Sequence, residues 1–200
     1  MDYSLGSHQL QLTTPFLEPE QARLLEQHLM QALPWRQERI RLFGRERLIP
    51  RQQCWVGDPE AQYRYSGLTL VPEPWTGPLA ALRDQVSRAA GESFNSVLCN
   101  LYRHGQDSMG WHSDDEPELG PDPVIASVSL GQERPFHFRH QRDQYPRLKL
   151  VLPHNSLLVM PAGLQREWQH QLPKSRRVLG PRINLTFRRV VPVADRPDNG

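Results

Sequence analysis

The chain has 200 residues, of which 38% are hydrophobic and 23% charged, and its formal net charge is +2. This composition suits one globular domain and excludes a fibrous or disordered chain. No apolar run reaches membrane-spanning length, and residues 1–15 lack the basic start and apolar stretch of a secretory signal. Cys54 and Cys99 are too few for a disulfide framework. We therefore expect a reducing compartment, the cytoplasm in a bacterium or the nucleus in a eukaryote.

Two helices are predicted in the first half of the chain. The first begins at Glu18-Pro19-Glu20, where proline and acidic residues favour a helix start, and ends before Pro34. Its apolar residues recur at helical spacing and are Leu24, Leu25, Leu29 and Leu33. The second runs from about Pro78 to Ala90 and is capped by Gly91. Its predicted buried face consists of Leu79, Leu82 and Val86.

An arginine-rich stretch lies between the two helices. From Arg36 to Arg51 there are six arginines against Glu38 and Glu46, a local balance of +4. Arginine binds phosphate as a planar fork, so such a patch suits a polyanion. An ordinary solvated surface would have the same composition, and both interpretations stay open.

The second half of the chain has the sequence pattern of a β protein. Turn-forming residues separate six short apolar runs, which are Val97–Tyr102, Val124–Leu130, Phe136–Phe138, Leu148–Leu152, Ser156–Met160 and Ile183–Phe187. Many short strands with regular turns indicate a sandwich or barrel. We predict an α+β, mainly β fold: a double-sheet jelly roll, or double-stranded β-helix, at residues 93–192. Residues 1–92 would pack helices outside one sheet within the same single domain, and residues 193–200 would form a tail.

A metal site is predicted from two histidines and one aspartate. His112 and Asp114 lie two residues apart, so at a strand end both side chains can reach one ion. His170 would be the third ligand, although by itself it could equally be a surface histidine. Two imidazoles and a carboxylate form the facial triad of non-heme iron(II) oxygenases. Three coordination positions then remain, two for a 2-oxo acid and one for dioxygen.

An alternating segment supports that interpretation. Residues 182–188 alternate polar and apolar residues, so Arg182, Asn184, Thr186 and Arg188 share one strand face. Two arginines directed into a jelly roll need anions, and a dicarboxylate supplies two. The alternative is a polar outer face of the sheet. Asn100 and Tyr102 also alternate and could donate hydrogen bonds to the same acid.

Several segments together resemble the AlkB family of iron(II)- and 2-oxoglutarate-dependent nucleic-acid dealkylases. They occur in the family's order over residues 36–190 and are Asn100-Leu101-Tyr102, His112-Ser113-Asp114-Asp115-Glu116, Ile125–Gly131, Phe136–Arg139 and Arg182–Arg188. The resemblance implies iron(II) bound by His112, Asp114 and His170. It implies 2-oxoglutarate contacts from Asn100, Tyr102, Arg182, Asn184, Thr186 and Arg188, with dioxygen as the oxidant.

The resemblance also implies a nucleotide-recognition lid before the jelly roll. Tyr63 and Tyr65 fall on one face of a strand that looks like the family's base-clamping strand, where rings can stack on a flipped base. Phe43, beside Gly44, resembles the hairpin finger of members that act on duplexes, although it could simply be a core residue. Ser113 replaces an arginine found in some duplex-acting members. The strand preference therefore stays open.

The implied reaction is repair of alkylated DNA, or of RNA, by a monomer that does not bind membranes. Bases such as 1-methyladenine and 3-methylcytosine would be demethylated while 2-oxoglutarate is converted to succinate and the methyl carbon leaves as formaldehyde. Asp115 could favour the cationic damaged base or bind its exocyclic amine, or it could be merely solvated. The alternatives are a related oxygenase acting on RNA and a non-catalytic jelly roll that binds damaged nucleic acid.

Overall fold

The computed structural model describes residues 1–42, 45–65 and 68–191, without the side chains of residues 40–45 and 63–70. Three α-helices lie in this part of the chain: α1 (Pro19–Ala32), α2 (Gly77–Ala90) and α3 (Leu164–Glu167). The strands are β1 (Asp2–Leu5), β2 (His8–Thr13), β3 (Arg39–Leu42), β4 (Arg45–Leu48), β5 (Gln52–Gly57), β6 (Tyr63–Tyr65), β7 (Leu68–Leu70), β8 (Ser96–Tyr102), β9 (Met109–His112), β10 (Ile125–Gly131), β11 (Arg134–His140), β12 (Leu148–Leu152), β13 (Ser156–Met160), β14 (Trp168–Leu172) and β15 (Arg182–Arg188).

Two antiparallel sheets form the framework. The larger has seven strands in the order β1-β2-β13-β10-β15-β8-β5, and the smaller has four in the order β12-β11-β14-β9. One apolar core draws its side chains from both sheets, including Leu158 from β13, Phe138 from β11 and Trp168 from β14. This arrangement confirms the predicted mainly β jelly roll.

The two long helices cover the outer face of the seven-stranded sheet, as predicted. Leu29 of α1 and Leu82 of α2 belong to one buried cluster with Leu185 of β15. Gly91 ends α2 with a φ of 65°, the left-handed conformation that glycine adopts readily. Leu24 does not join this cluster, since it is 52% exposed despite its helical spacing. No helix among the described residues is long and apolar enough to span a membrane.

A tight turn carries the chain from one sheet to the other. Gly131 ends β10 with a φ of 85°, and a Cβ there would lie 2.6 Å from the backbone oxygen of Pro181. Only glycine fits so close an approach with this backbone conformation. The turn therefore fixes the start of β11 next to the start of β15, where the predicted anion-binding residues begin.

Three strands were not anticipated by the sequence interpretation: β1, β2 and β14. Of β9, only its end at His112 was expected. The pairs β3–β4 and β6–β7 form separate two-stranded hairpins before the jelly roll. Phe43 and the tail at 193–200 lie outside the described residues. For Tyr63 and Tyr65 the description covers the backbone of β6 but not the side chains.

Candidate active site

Adjacent strands of the smaller sheet bring the three predicted metal ligands together. His112 ends β9 and is the direct antiparallel partner of His170 in β14, while Asp114 follows β9 by two residues. One ligand atom from each residue lies within 4.8 Å of the other two. His170 Nε2 is 3.6 Å from Asp114 Oδ2, and the two imidazole rings have centroids 4.2 Å apart. Three such atoms at this separation could hold one metal ion on one face.

The protonation states of these groups suit metal binding. Burial, together with the charges of His112 and Arg188, outweighs the attraction of Asp114 and lowers the pKa of His170 to about 3. Its imidazole is therefore neutral and can offer a lone pair. Burial alone would raise the pKa of Asp114, but the charge and hydrogen bond of Arg188 lower it overall, so this carboxyl stays ionised.

Surrounding hydrogen bonds orient the ligands. His112 Nδ1 lies 2.8 Å from the backbone oxygen of Gly110, which can only accept, so Nδ1 carries the proton and Nε2 is left as the acceptor. The backbone N–H of Asp114 donates to Gln165 Oε1 at 3.0 Å. Gln165 is 1% exposed and lies in α3, shortly before the strand that carries His170. One short segment thus supports two of the three ligands.

A cavity adjoins this cluster between the two sheets. It is lined by all three candidate ligands and by five of the six residues predicted to hold 2-oxoglutarate, namely Asn100, Tyr102, Asn184, Thr186 and Arg188. Strands β8 and β15 pair side by side, which places Asn184 opposite Asn100 and Arg182 opposite Tyr102. The remaining wall includes Leu98, Met109, Phe136 and Met160.

Arg182 is the sixth of these residues and is buried more deeply. Its side chain is 2% exposed and donates from Nη2 to Ser129 Oγ at 2.8 Å, while Nε has no hydrogen-bond partner. Burial lowers the pKa of Arg182 to about 10, which leaves the guanidinium charged at neutral pH. A buried cation with one neutral partner favours an anion nearby. The hydrogen-bond donors of Arg182 and of the cavity therefore fit the dicarboxylate that was predicted from the sequence.

The sequence analysis missed several residues around the cavity. Arg51 was assigned to the basic surface patch, but it is 7% exposed, and its Nε donates to Asn100 Oδ1 at 2.8 Å. That assignment was wrong, because β5 lies next to β8 and turns the start of β5 toward the cavity. Ser127 Oγ accepts a hydrogen bond from Asn184 at 2.7 Å. A cross-strand contact of this kind is visible only once the strand register is known.

Two other predicted residues lie at the rim. Asp115 is exposed beside Asp114, so its carboxylate is available to a ligand but is also well solvated. The hydroxyl of Ser113 donates to the backbone oxygen of Trp168 at 3.1 Å and is thereby tied to β14. Substrate contacts by Phe43, Tyr63 and Tyr65 remain predictions, since their side chains lie outside the description.

Known proteins resemble this chain in sequence and in fold. The family model of the 2OG-Fe(II) oxygenase superfamily matches residues 9–188. The mouse protein named DNA oxidative demethylase ALKBH2 is 45% identical over 161 residues, covering 77% of this chain and 67% of its own length. The human protein named alpha-ketoglutarate-dependent dioxygenase alkB homolog 3 is 41% identical over 189 residues, covering 88% of this chain and 64% of its own length.

The chain belongs to the AlkB family of 2OG-Fe(II) oxygenases. This AlkB-family chain spans about two thirds of the length of these relatives. The solved structure of OsALKBH1 matches it with a TM-score of 0.63 at 16% identity, over 94% of this chain and 98% of that one. At such low identity the match shows the fold alone. Relatives with the ALKBH2 name and relatives with the alkB homolog 3 name thus match this chain at similar identity.

Proposed function

We propose that this protein repairs DNA by oxidatively removing alkyl groups from ring nitrogens of damaged bases, such as 1-methyladenine and 3-methylcytosine. The observation that carries the proposal is a single cavity that is lined both by the cluster of His112, Asp114 and His170 and by Arg188 with several neutral polar side chains. The names of the relatives, which include a DNA oxidative demethylase, support the choice of substrate.

The three ligand residues would hold iron(II), with His170 and His112 as neutral donors and Asp114 as the anion. Iron(II) there would supply the activation of dioxygen that oxidation of a methyl C–H bond requires, coupled to conversion of 2-oxoglutarate to succinate and carbon dioxide. Arg188 forms an ion pair with Asp114 and would bind the carboxylate nearer the metal. Arg182, at the deep end of the pocket, would bind the distal carboxylate.

The damaged base would enter from the rim. N-methylation at these ring positions gives the base a positive charge, so the exposed carboxylate of Asp115 would attract it or bind its exocyclic amine. Tyr63 and Tyr65 of β6 would stack on the extruded base. The protein's own contribution is then to position the methyl group and exclude competing reactions, which leaves the oxidation chemistry to the cofactor.

Succinate release coupled to repair tests this function. Purified protein with iron(II), 2-oxoglutarate and a methylated DNA oligonucleotide should form succinate and repaired base in equal amounts. A second arm uses the same lesion in RNA, and His170→Ala provides the inactive control. Binding of damaged DNA without succinate formation would instead support a non-catalytic binding protein, and faster repair of RNA than of DNA would assign the protein to RNA.

A further inference from the structure

Arg134 is a buried arginine that resembles Arg182 in lacking a full set of hydrogen bonds. It is the first residue of β11 and is 1% exposed, and among the described residues its Nε has no hydrogen-bond partner. Its other nitrogens donate at 2.7 to 3.4 Å to four backbone carbonyls, those of His104, Gly105, Asp107 and Pro173. These carbonyls belong to the loops that follow β8 and β14. Arg134 therefore holds together two loops beside the strands that carry the site.

The charge of Arg134 is not neutralised by a bonded carboxylate. Asp107 is the acid that acts on it electrostatically, but that carboxylate is already held by Arg103. The Nε and Nη2 atoms of Arg103 donate to Asp107 at 2.8 and 3.0 Å, and its backbone N–H adds a third bond at 2.9 Å. Among the described residues, no carboxylate accepts a hydrogen bond from Arg134 or Arg182.

The backbones of Arg134 and Arg182 lie close together at the turn between the two sheets. Arg182 is the register partner of Gly131, and Arg134 begins β11 three residues later. The guanidinium carbon of Arg182 lies 5.5 Å from the ring centroid of Tyr102. The two cations oppose each other, since the charge of Arg134 adds to the effect of burial in lowering the pKa of Arg182. Two buried positive charges with no bonded acid are costly, and an incoming anion would relieve that cost.

We propose that Arg134 is a positioning residue for the co-substrate, which adds a second positive charge at the Arg182 end and so favours 2-oxo acids with two carboxylates. The inference rests on the proposed function. The effect acts through space, because the hydrogen-bonding atoms of Arg134 face the loop carbonyls. Its consequence is selectivity: the distal carboxylate of 2-oxoglutarate gains from Arg134, whereas a 2-oxo acid with one carboxylate does not.

Binding of two ligands to the manganese-loaded protein tests this selectivity. N-oxalylglycine carries both carboxylates of 2-oxoglutarate, and pyruvate carries only the one beside the keto group. In Arg134→Met we expect affinity for N-oxalylglycine to fall by about tenfold, as for one unit charge acting across a partly buried site, while affinity for pyruvate stays within about twofold. The Michaelis constant for 2-oxoglutarate should rise similarly with little change in kcat, since the interaction that is removed is present before the chemical step.

Three further variants make the result decisive. Arg134→Lys keeps the charge and should keep the ratio of the two affinities near that of the natural protein. Arg134→Gln removes the charge but keeps a donor for the carbonyls, and it replaces Arg134→Met if that variant does not fold. Arg142→Met removes an exposed cation two residues after the end of the same strand and should change neither affinity.

If Arg134→Met lowers the affinity for both ligands equally, Arg134 only stabilises the two loops, and this result would overturn the inference. No loss for either ligand, or a lysine variant whose affinity ratio falls as far as that of the methionine variant, would do the same. If the natural protein itself fails to bind N-oxalylglycine, the proposed function fails instead.

Discussion

At the scale of single residues, the site combines ionised groups that are almost entirely withdrawn from water. Asp114 is 1% exposed and Arg188 4%, and the two are joined by a hydrogen bond. A buried ion pair is destabilising when one partner is lost, because the other charge remains without compensation. Retention of such a pair next to two histidines is therefore better explained by the metal and anion it serves than by stability.

Replacing Arg188 with lysine keeps the charge but removes the planar fork. The Michaelis constant for 2-oxoglutarate should rise at least about tenfold, as expected from loss of a charge-assisted hydrogen bond worth roughly 1.5 to 3 kcal/mol. Steady-state kinetics with 2-oxoglutarate as the varied substrate measures this. Arg189→Lys is the matched control, since Arg189 is exposed and pairs with Glu92 at 3.7 Å. An unchanged Michaelis constant in Arg188→Lys would remove this residue from the co-substrate site.

At the scale of elements, the short helix α3 connects the ligands. Gln165→Leu would leave the buried N–H of Asp114 without an acceptor and loosen the carboxylate. Loss of such an orienting hydrogen bond typically weakens metal affinity by about 10- to 100-fold. Titration with manganese(II) measures the change. Gln27→Leu, at an exposed glutamine of α1, is the control. Equal affinities in all three proteins would show that Gln165 does not orient the ligand.

The segment that resembles the family's hairpin finger carries a different prediction. Phe43→Ala should reduce repair of a duplex lesion by much more than repair of the same lesion in a single strand. An apolar side chain inserted into the vacated stack recovers part of the cost of extracting a base, and a single strand largely avoids that cost. Paired oligonucleotides with one defined lesion measure the ratio. An equal loss of repair activity on both substrates would indicate that Phe43 is a core residue.

The strands that were predicted from the sequence differ in composition from those that were missed. Leu148–Leu152 and Ser156–Met160 were located to the residue because their apolar runs are bounded by turn formers. By contrast, β14 buries Trp168, His170 and Leu172 but leaves the glutamines between them half-buried, so its alternation is partly hidden by polar residues. The role of Gln165 has no signal in the sequence, because it depends on a contact with a residue 51 positions away.

At the scale of the whole molecule, two groups of arginines occupy different environments. Arg51, Arg134, Arg182 and Arg188 are buried, whereas Arg36, Arg39 and Arg47 are exposed. Two of the exposed arginines are already paired, Arg36 with Glu73 and Arg39 with Glu46, at 3.6 and 3.7 Å. Such exposed pairs are weak and can be exchanged for phosphate contacts.

Replacing Arg39 and Arg47 with glutamine should therefore weaken DNA binding uniformly across sequences. The slope of log affinity against log salt concentration should become shallower by about 0.9 for each phosphate that the protein no longer neutralises. The double variant Arg23→Gln/Arg88→Gln, on the two helices, controls for overall charge. An unchanged slope in Arg39→Gln/Arg47→Gln would mean that this patch is ordinary solvated surface.

The place of β9 in the smaller sheet has a consequence for local stability. Within the described part of the chain, this strand lies at the sheet edge and pairs with β14 alone, with an irregular register beyond the pair of histidines. An edge of this kind opens without global unfolding, so its amide hydrogens should exchange quickly in metal-free protein. A metal ion shared by His112 and His170 would fasten the two strands together. Hydrogen–deuterium exchange of residues 109–112 should therefore slow markedly when manganese(II) is added, while exchange in β10, at the centre of the larger sheet, stays constant.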